Sequence, residues 1–298
     1  MRVTVRVPAT VANLGPGFDC IALALQLQND VRAEPAERTA VVTEGAEAVP
    51  ALDSIEDSLV VSAYRAVCTQ LDVAPLELRF NCVQRIPVGR GLGSSAAAIV
   101  AGVLTAVSLH QAPWDEQDVI NIVAGLEGHA DNAAAAVLGG LAIAPPDAPA
   151  ETIPVPDQVR AVLWIPDLAV RTADARAVLP DRVARGDAVF NASRCALLVR
   201  ALTLPDLGGL RTAMQDRLHQ DARGALMPAT DAVMAAALDG GADGASLAGA
   251  GPSVIALTAS DPAPVVAAMR DAGRRLDVAA RVTVLSPRNF GTRVDVRP

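Results

Sequence analysis

The chain reads as an α+β protein in which strands and helices are intermixed, several strand pairs are hairpin-like, and no doubly wound parallel pattern runs through it. Three observations carry this reading. Val3, Val5 and Val7 alternate at strand period, as do Leu23, Leu25 and Leu27, and Leu76, Leu78, Phe80 and Cys82. Apolar, alanine-rich stretches of helical length follow at 94–109, 115–126 and 131–138. Near the other end, strand-like runs at 245–248 and 254–258 are joined by the short connection Gly249-Ala250-Gly251-Pro252-Ser253.

Taken in order, the opening strand carries Val3, Val5 and Val7 and is expected to stop at Pro8. A loop over 9–19 holds Asn13, Gly15, Pro16 and Gly17, and a strand covers 21–31. Val41-Val42 forms a short strand, and Ser58 is placed to cap a helix running to about Thr69. The alternation 76–82 then leads into a glycine-rich loop and the three helices. Residues 145–156 carry five prolines and no periodicity, which marks a boundary between two halves, 1–150 and 151–298. The second half contains a strand at 159–165, helices at 187–203 and 228–238, and the hairpin-like pair already described. A helix at 262–274 and a strand at 279–285 complete it, and no solenoid period occurs.

Composition narrows the function. Of 298 residues, 51% are hydrophobic, yet there are only two Trp, one Tyr and four Phe, so the core must be built from Ala, Val, Leu and Ile. A net charge of −8 argues against a nucleic-acid partner, because neutralising phosphates takes clustered basic residues. Apolar stretches such as 96–109 are too short to span a bilayer, so no membrane role is expected. The N-terminus runs directly into strand alternation without a signal peptide, so a cytoplasmic protein is expected. Cys20, Cys68, Cys82 and Cys195 show no CxxC spacing and read as free thiols of a reducing compartment. The three histidines show no zinc-like spacing.

The most informative segment is Pro87-Val88-Gly89-Arg90-Gly91-Leu92-Gly93-Ser94-Ser95, which feeds a run of strong helix formers from Ala96. Glycines let the backbone approach an anion, and a helix N-terminus offers unpartnered N–H groups and the positive end of the dipole. This combination suits a phosphate. The segment is no Walker loop, for it lacks the lysine; the chain in fact has no lysine at all, its 25 basic residues being arginines. That excludes Schiff-base and pyridoxal chemistry. The dinucleotide fingerprint fails because Ala96 stands at the third glycine position, and Gly-x-Ser-x-Gly is missing from this loop. A plain turn before a helix, with Ser94 as its N-cap, is the competing reading.

Two further segments complete a set. Pro8-Ala9-Thr10-Val11-Ala12-Asn13-Leu14-Gly15-Pro16-Gly17-Phe18-Asp19, the loop 87–95, and Leu247-Ala248-Gly249-Ala250-Gly251-Pro252-Ser253 together resemble the three signature motifs of the GHMP small-molecule kinases. The run from Asn13 to Cys20 and the segment Glu127-Gly128-His129-Ala130-Asp131-Asn132 are similar to those of the homoserine kinase family within that group. The resemblance spans the chain from Arg6 to beyond Ser253.

It implies a two-lobed fold with mixed and antiparallel sheets covered by helices, 1–150 being an ATP-binding lobe and 151–298 a lobe that completes the substrate site. It implies transfer of the ATP γ-phosphoryl group to the hydroxyl of L-homoserine, with Mg²⁺, in the step before threonine synthase in threonine biosynthesis. ATP would lie on Ser58 and the loop Pro87, Val88, Gly89, Arg90, Gly91, Leu92, Gly93, Ser94 and Ser95, with Ser95 on the metal. Asp19 would hold the substrate ammonium with Asn13 beside it, while His129, Asp131 and Asn132 line the pocket and Asn132 reaches the hydroxyl. These residues orient the substrate rather than abstract its proton. Asp131 and Asn132 equally suit a helix N-cap, and Asn13 and Asp19 equally suit a turn. A guanidinium binds a carboxylate bidentately, and Thr172-Ala173-Asp174-Ala175-Arg176 resembles the family segment that supplies one, with Arg223 as a second.

Four positions depart from the family pattern. The acidic metal ligand expected eight residues before the pocket histidine is Asn121, so Asn121 itself, Glu127 or a water would complete the Mg²⁺ site. Val11 replaces a serine, Ser58 replaces an asparagine near the adenine site, and Ala130 replaces a proline. Another GHMP kinase acting on mevalonate or a diphosphocytidyl-methylerythritol, and a catalytically silent nucleotide-binding protein, are the competing functions. A homodimer is the expected assembly of the chain.

Overall fold

A computed structural model describes residues 1–48 and 54–298. The elements of the first half are β1 (Arg2–Asn13), β2 (Gly17–Pro35), β3 (Ala40–Glu44), α1 (Leu59–Gln70), β4 (Leu78–Val83), α2 (Ser94–His110), α3 (Glu116–Glu127), α4 (Asp131–Leu138), β5 (Leu141–Ile143) and β6 (Glu151–Ile153). Then come β7 (Arg160–Pro166), α5 (Thr172–Ala177), α6 (Arg185–Leu202), α7 (Leu210–Ala213), α8 (Gln220–Gly224), α9 (Ala229–Asp239), β8 (Gly244–Leu247), β9 (Val254–Thr258), α10 (Ala263–Arg275), β10 (Ala280–Leu285) and β11 (Arg293–Arg297).

Two sheets result. The larger has the order β11-β1-β2-β4-β3, with β5 paired to β2 and β6 to β5. All its pairings are antiparallel except β3–β4. The smaller, β10-β7-β9-β8, is antiparallel throughout. This mixed and antiparallel arrangement, covered by helices, is the α+β architecture the alternation patterns predict.

The first strand does not stop at Pro8. It continues to Asn13 and pairs with β2 along its length, with a register shift between Pro8 and Ala9. Pairing to β11 ends at Arg6, so the missing N–H of Pro8 falls at a bulge where the second neighbour has gone. The expected loop over 9–19 is therefore a hairpin whose turn is only Leu14-Gly15-Pro16. Val3, Val5, Val7, Ala9 and Val11 all turn into the core, fully buried.

Helix α2 is apolar on almost every side, burying Ala96, Ala97, Ile99, Val100, Ala101, Val103 and Ala106 among α1, α3, α4 and β1. Small residues set that close packing: a Cβ on Gly102 would meet the carbonyl oxygen of Val60 in α1. Ser58 caps α1 as its sequence suggests, its hydroxyl accepting the Val61 N–H at 3.4 Å. Asp115 and Asp118 form a reciprocal capping box at the start of α3, a device that stabilises by about 1 kcal/mol. At the other end of α3, Gly128 takes a left-handed conformation (φ 92°) and turns the chain sharply into α4. The α3–α4 turn is thereby brought to the N-terminus of α2, where a cavity opens between the hairpin, the glycine loop and the second half of the chain. No described helix is long and apolar enough to cross a membrane.

Candidate active site

The three loops that the sequence singles out meet at this cavity and are hydrogen-bonded to one another. Thr10 N–H donates to the Leu92 carbonyl at 3.2 Å, and Gly249 N–H donates to that of Ala12 at 3.1 Å. Asn13 Nδ2 donates back to the Gly249 carbonyl at 2.9 Å. A Cβ on Gly91 would strike the carbonyl of Ala248, and one on Gly93 would strike Thr10 Oγ1. Both glycines also sit at positive φ, 74° and 72°. They are required by contact and conformation together.

The glycine loop ends at the helix N-terminus as expected, but its cap differs. Left-handed Gly93, not Ser94, is the N-cap of α2 and makes no side-chain cap bond. The hydroxyls of Ser94 and Ser95 are thus left for the cavity, which both residues line. Arg90 is committed elsewhere: its guanidinium donates to the carbonyls of Val88 (3.3 Å) and Asp167 (2.6 Å). With the bond from Val170 N–H to the Gly89 carbonyl (3.2 Å), this fastens the loop to the segment before α5.

Across the cavity, Asp19 and Arg176 form a two-pronged pair, Nη2–Oδ1 at 2.7 Å and Nη1–Oδ2 at 2.9 Å. About a third of each side chain is exposed, 33% for Asp19 and 36% for Arg176. Donating these hydrogen bonds to Asp19 holds the Arg176 proton more firmly than usual. Asn13 positions this carboxylate by accepting the Asp19 N–H at 3.1 Å. Asn13 and Asp19 both adopt positive φ, 73° and 55°, so the hairpin is wound tightly around the pair.

Arg223 is 1% exposed and lines the same wall. It donates to the Ala175 carbonyl (3.1 Å), the Gly249 carbonyl (3.2 Å) and His219 Nδ1 (3.0 Å). Accepting at Nδ1 leaves His219 its proton on Nε2, which donates to the Gly15 carbonyl at 2.8 Å. Burial keeps His219 neutral by lowering its pKa. Burial and the charge of Arg176 pull Arg223 down to about 10. Phe18 lies tilted against His219, ring centres 5.4 Å apart, and has both guanidinium groups within 5.7 Å of its ring centre.

Asp131 is not the side-chain N-cap of α4, since Ala130 holds that position without a side-chain bond. Asp131 Oδ1 accepts instead from His129 Nδ1 (2.9 Å) and the Asn132 N–H (2.6 Å). The bond to Asp131 raises the His129 pKa against the opposing effect of burial. Asn132 Oδ1 accepts the Thr10 hydroxyl at 2.6 Å, which leaves its Nδ2 as the donor end. Thr172 sits exposed at the rim, and Ser58 lines the far end of the cavity while serving as the α1 cap.

One candidate is not brought in. Asn121 lies on the exposed side of α3, bonded to Gln117 at 2.8 Å, and lines a separate depression with residues 144–150. Glu127 occupies the cavity instead. Its Oε2 is buried without a partner, and burial raises its pKa. The end of a helix six residues beyond Asn121 reaches a different face, because six residues advance the helical rotation well past a whole turn. Sequence reasoning missed Thr10 and Gln84. Thr10 had a usable signal, a lone hydroxyl in the buried run Ala9-Thr10-Val11-Ala12. Gln84, whose Oε1 is also buried without a partner at the far end of the cavity, had none.

Comparison with known proteins agrees with this geometry. The family model for the GHMP kinases N terminal domain matches residues 58–140, and that for GHMP kinases C terminal matches 198–275. A homoserine kinase from Synechococcus sp. is 39% identical over 303 aligned positions, covering 99% of this chain and 98% of its own. One from Thermus thermophilus is 43% identical, covering 88% and 89%. The crystal structure of homoserine kinase from Cytophaga hutchinsonii superposes with TM-score 0.85 at 28% identity, covering 99% and 97%. The crystal structure of L. major mevalonate kinase shares the fold, with TM-score 0.70 at 17% identity over 96% of each chain. Three wedged loops, a carboxylate–guanidinium pair and matches over nearly the whole chain converge: the chain belongs to the GHMP kinases and, among them, to the homoserine kinase family.

Proposed function

We propose that the chain transfers the γ-phosphoryl group of ATP to the side-chain hydroxyl of L-homoserine, giving O-phospho-L-homoserine and ADP. The observation that carries this reading is the Asp19–Arg176 pair facing the glycine loop across one cavity. Opened, the pair presents a carboxylate to an ammonium group and a guanidinium to a carboxylate, the two charges of an α-amino acid. Asn132 Nδ2, held by Thr10, is the donor for the acceptor hydroxyl between these charges and the loop.

The loop and the first turn of α2 cradle the phosphates. The base goes to the far end, where Val31, Val41 and Val60 give an apolar slot and the unpartnered Gln84 Oε1 awaits an amino donor. Magnesium fits beside Ser95 and Glu127: a buried, unpartnered carboxylate oxygen next to a hydroxyl is an oxygen-donor set of the right kind. The described residues hold no group of three His, Cys, Asp or Glu side chains for a metal, but Mg²⁺ needs only one or two carboxylates when phosphates complete its shell. When bound there, the ion neutralises charge developing on the phosphates. In the transfer, the hydroxyl oxygen bonds to the γ-phosphorus as the bond to the β-phosphate oxygen breaks. Phosphoryl transfer depends chiefly on positioning and electrostatics, which suits a pocket whose Asp131 is already occupied by His129 and the Asn132 amide.

The test is ADP release by the purified chain with ATP, Mg²⁺ and either L-homoserine, mevalonate or no acceptor. Homoserine-dependent ADP release is expected. Preference for the non-amino alcohol, or ATP binding without acceptor-dependent turnover, overturns the reading.

A further inference from the structure

Asp216 and His219 lie on the bend into α8, and Arg223 lies on that helix itself. The side chains of Asp216 and His219 are fully buried. Asp216 accepts from Asn191 Nδ2 of α6 at 2.7 Å and from the backbone N–H groups of Leu218 (3.1 Å), His219 (2.9 Å) and Gln220 (2.8 Å). Asn191 Nδ2 also donates to the Pro16 carbonyl at 3.3 Å, and Gln220 Oε1 accepts the Leu247 N–H at 2.7 Å. The bend is thus fastened to α6, to the hairpin turn and to β8. Arg223 rests against it without a bonded carboxylate among the described residues, in contrast to Arg176. Its partners are two carbonyls and His219 Nδ1, and they occupy Nε and Nη1. Nη2 is left for the cavity that Arg223 lines.

We propose that His219 is a positioning residue for the amino-acid end of the site. Gly15 and Asp216 hold its ring in the Nε2-protonated form, and that form alone takes Arg223 Nη1 at Nδ1 and so turns Nη2 into the cavity. Donors and acceptors have to match at both ring nitrogens. A guanidinium only donates, so Nδ1 must carry a lone pair. A neutral imidazole has one proton, and Nε2 faces two oxygens, the Gly15 carbonyl at 2.8 Å and Asp216 Oδ2 at 3.7 Å. In the other tautomer an N–H would face an N–H at Arg223, and a lone pair would face oxygen at Gly15. The four donors around Asp216 favour its ionised form, and that charge favours an N–H directed at it. A doubly protonated ring would set two cations side by side, which burial opposes. This role rests on the function proposed above, in which Nη2 meets the carboxylate of L-homoserine. Arg176 must give up a pair to do the same, and Arg223 need not.

Two amides separate the ring nitrogens experimentally. Asparagine places its Oδ1 where the Nδ1 acceptor of histidine lies, and glutamine places its Nε2 where the Nε2 donor lies. His219→Asn therefore keeps the acceptor for Arg223 and loses the bond to Gly15, and His219→Gln does the reverse. In initial rates of ADP release by the full-length chain, His219→Gln is expected to raise the homoserine KM about 10-fold, the loss of a hydrogen bond to a charged group. His219→Asn is expected to stay within about 3-fold, and neither variant to move the ATP KM more than about 2-fold. The Tm values are expected in the opposite sense, the smaller Asn side chain giving the lower one. A homoserine KM that follows Tm, so that His219→Asn is the worse variant, overturns the proposal, and so do equal KM values in the two. Nitrogen-15 NMR of the imidazoles, with the His219 signals identified by their loss in either variant, is expected to show a neutral ring protonated at Nε2. A ring protonated at Nδ1, or at both nitrogens, at neutral pH overturns the proposal. The spectrum needs no turnover, so a chain without homoserine-dependent ADP release would sink the functional reading while the tautomer was still decided by itself.

Discussion

Replacing Asp19 by Asn sets two effects against each other, and their magnitudes decide the outcome. Asp19→Asn removes the charge that holds the substrate ammonium, and a hydrogen bond to a charged group contributes about 1.5–3 kcal/mol. It also removes the pairing with Arg176 that substrate must displace. That pair is two-pronged, at 2.7 and 2.9 Å, but a third of each side chain is exposed. Solvent screening holds such pairs to about 1 kcal/mol at most. The loss therefore exceeds the gain by about 0.5–2 kcal/mol, which corresponds to a rise in homoserine KM of about 2- to 30-fold. The ATP KM should move less than about 2-fold on the same scale, since the bonds Asp19 makes are to Asn13 and Arg176 and none is to the glycine loop. Initial rates of ADP release, with each substrate varied in turn, provide the assay. Equal rises in both KM values would refute the ammonium role, and tighter homoserine binding by the variant would show that the pair only obstructs the site.

Glu127→Gln is expected to raise the Mg²⁺ concentration needed for half-maximal rate at least 10-fold, whereas Asn121→Ala, on the outer side of α3, leaves it unchanged. Because burial raises the Glu127 pKa, its ionised form costs folding stability as pH rises above 4.5, so Glu127→Gln should also raise the metal-free Tm at pH 7 by about 2 °C, read by calorimetry. The bond to Asp131 raises the His129 pKa above 6.5, so this pair stabilises fully below pH 6.5 and its contribution fades as pH climbs through the raised value. Denaturant unfolding of His129→Asn should accordingly show a larger deficit at pH 6 than at pH 9; a deficit independent of pH would assign His129 a packing role only.

Much of this site was legible because it is built from backbone. Gly91 and Gly93 are needed where the loop passes against Ala248 and Thr10, and a residue type chosen for lack of a side chain announces itself in a sequence. The long helices were legible for a similar reason, since apolar periodicity and caps such as Ser58 and the Asp115–Asp118 box act locally. What escaped was set by distant partners. Pro8 reads locally as a stop, yet β2 continues to pair past it because the bulge absorbs the missing donor. Strand β11 has Val294 and Val296 exposed at 39% and 46%, so it lacks the buried face that would have marked it as a strand, and it exists through pairing with β1. The short β5 and β6 are three residues each, below the length at which a period can be read. Six residues put Glu127 and Asn121 on different faces of α3, and both stood as candidates in the sequence; which of them meets the cavity is set by the Gly128 turn, which carries the end of α3 and not its body to the site.

The charge pair also bears on how an amino acid is told from an acid that lacks the ammonium group. Such an acid can take Arg176 but strands Asp19, while a zwitterion gives each partner a replacement. A fully buried stranded carboxylate would be prohibitive, but Asp19 is 33% exposed and water can reach it. The discrimination available from the pair alone is then about 1–2 kcal/mol, or about 5- to 30-fold, with removal of a partner and screening by solvent both counted. Stronger selection has to come from groups that cannot be rehydrated. Arg223, at 1% exposure with its donors fixed on Ala175, Gly249 and His219, is such a group, and so is Asn132, locked by Thr10. A site that hydrogen-bonds a substrate group rejects a ligand without it far more sharply than an exposed ion pair does. The open fork therefore serves capture of the zwitterion, and the closed layer behind it, tied to the hairpin through Gly15 and Gly249, sets where the hydroxyl must lie.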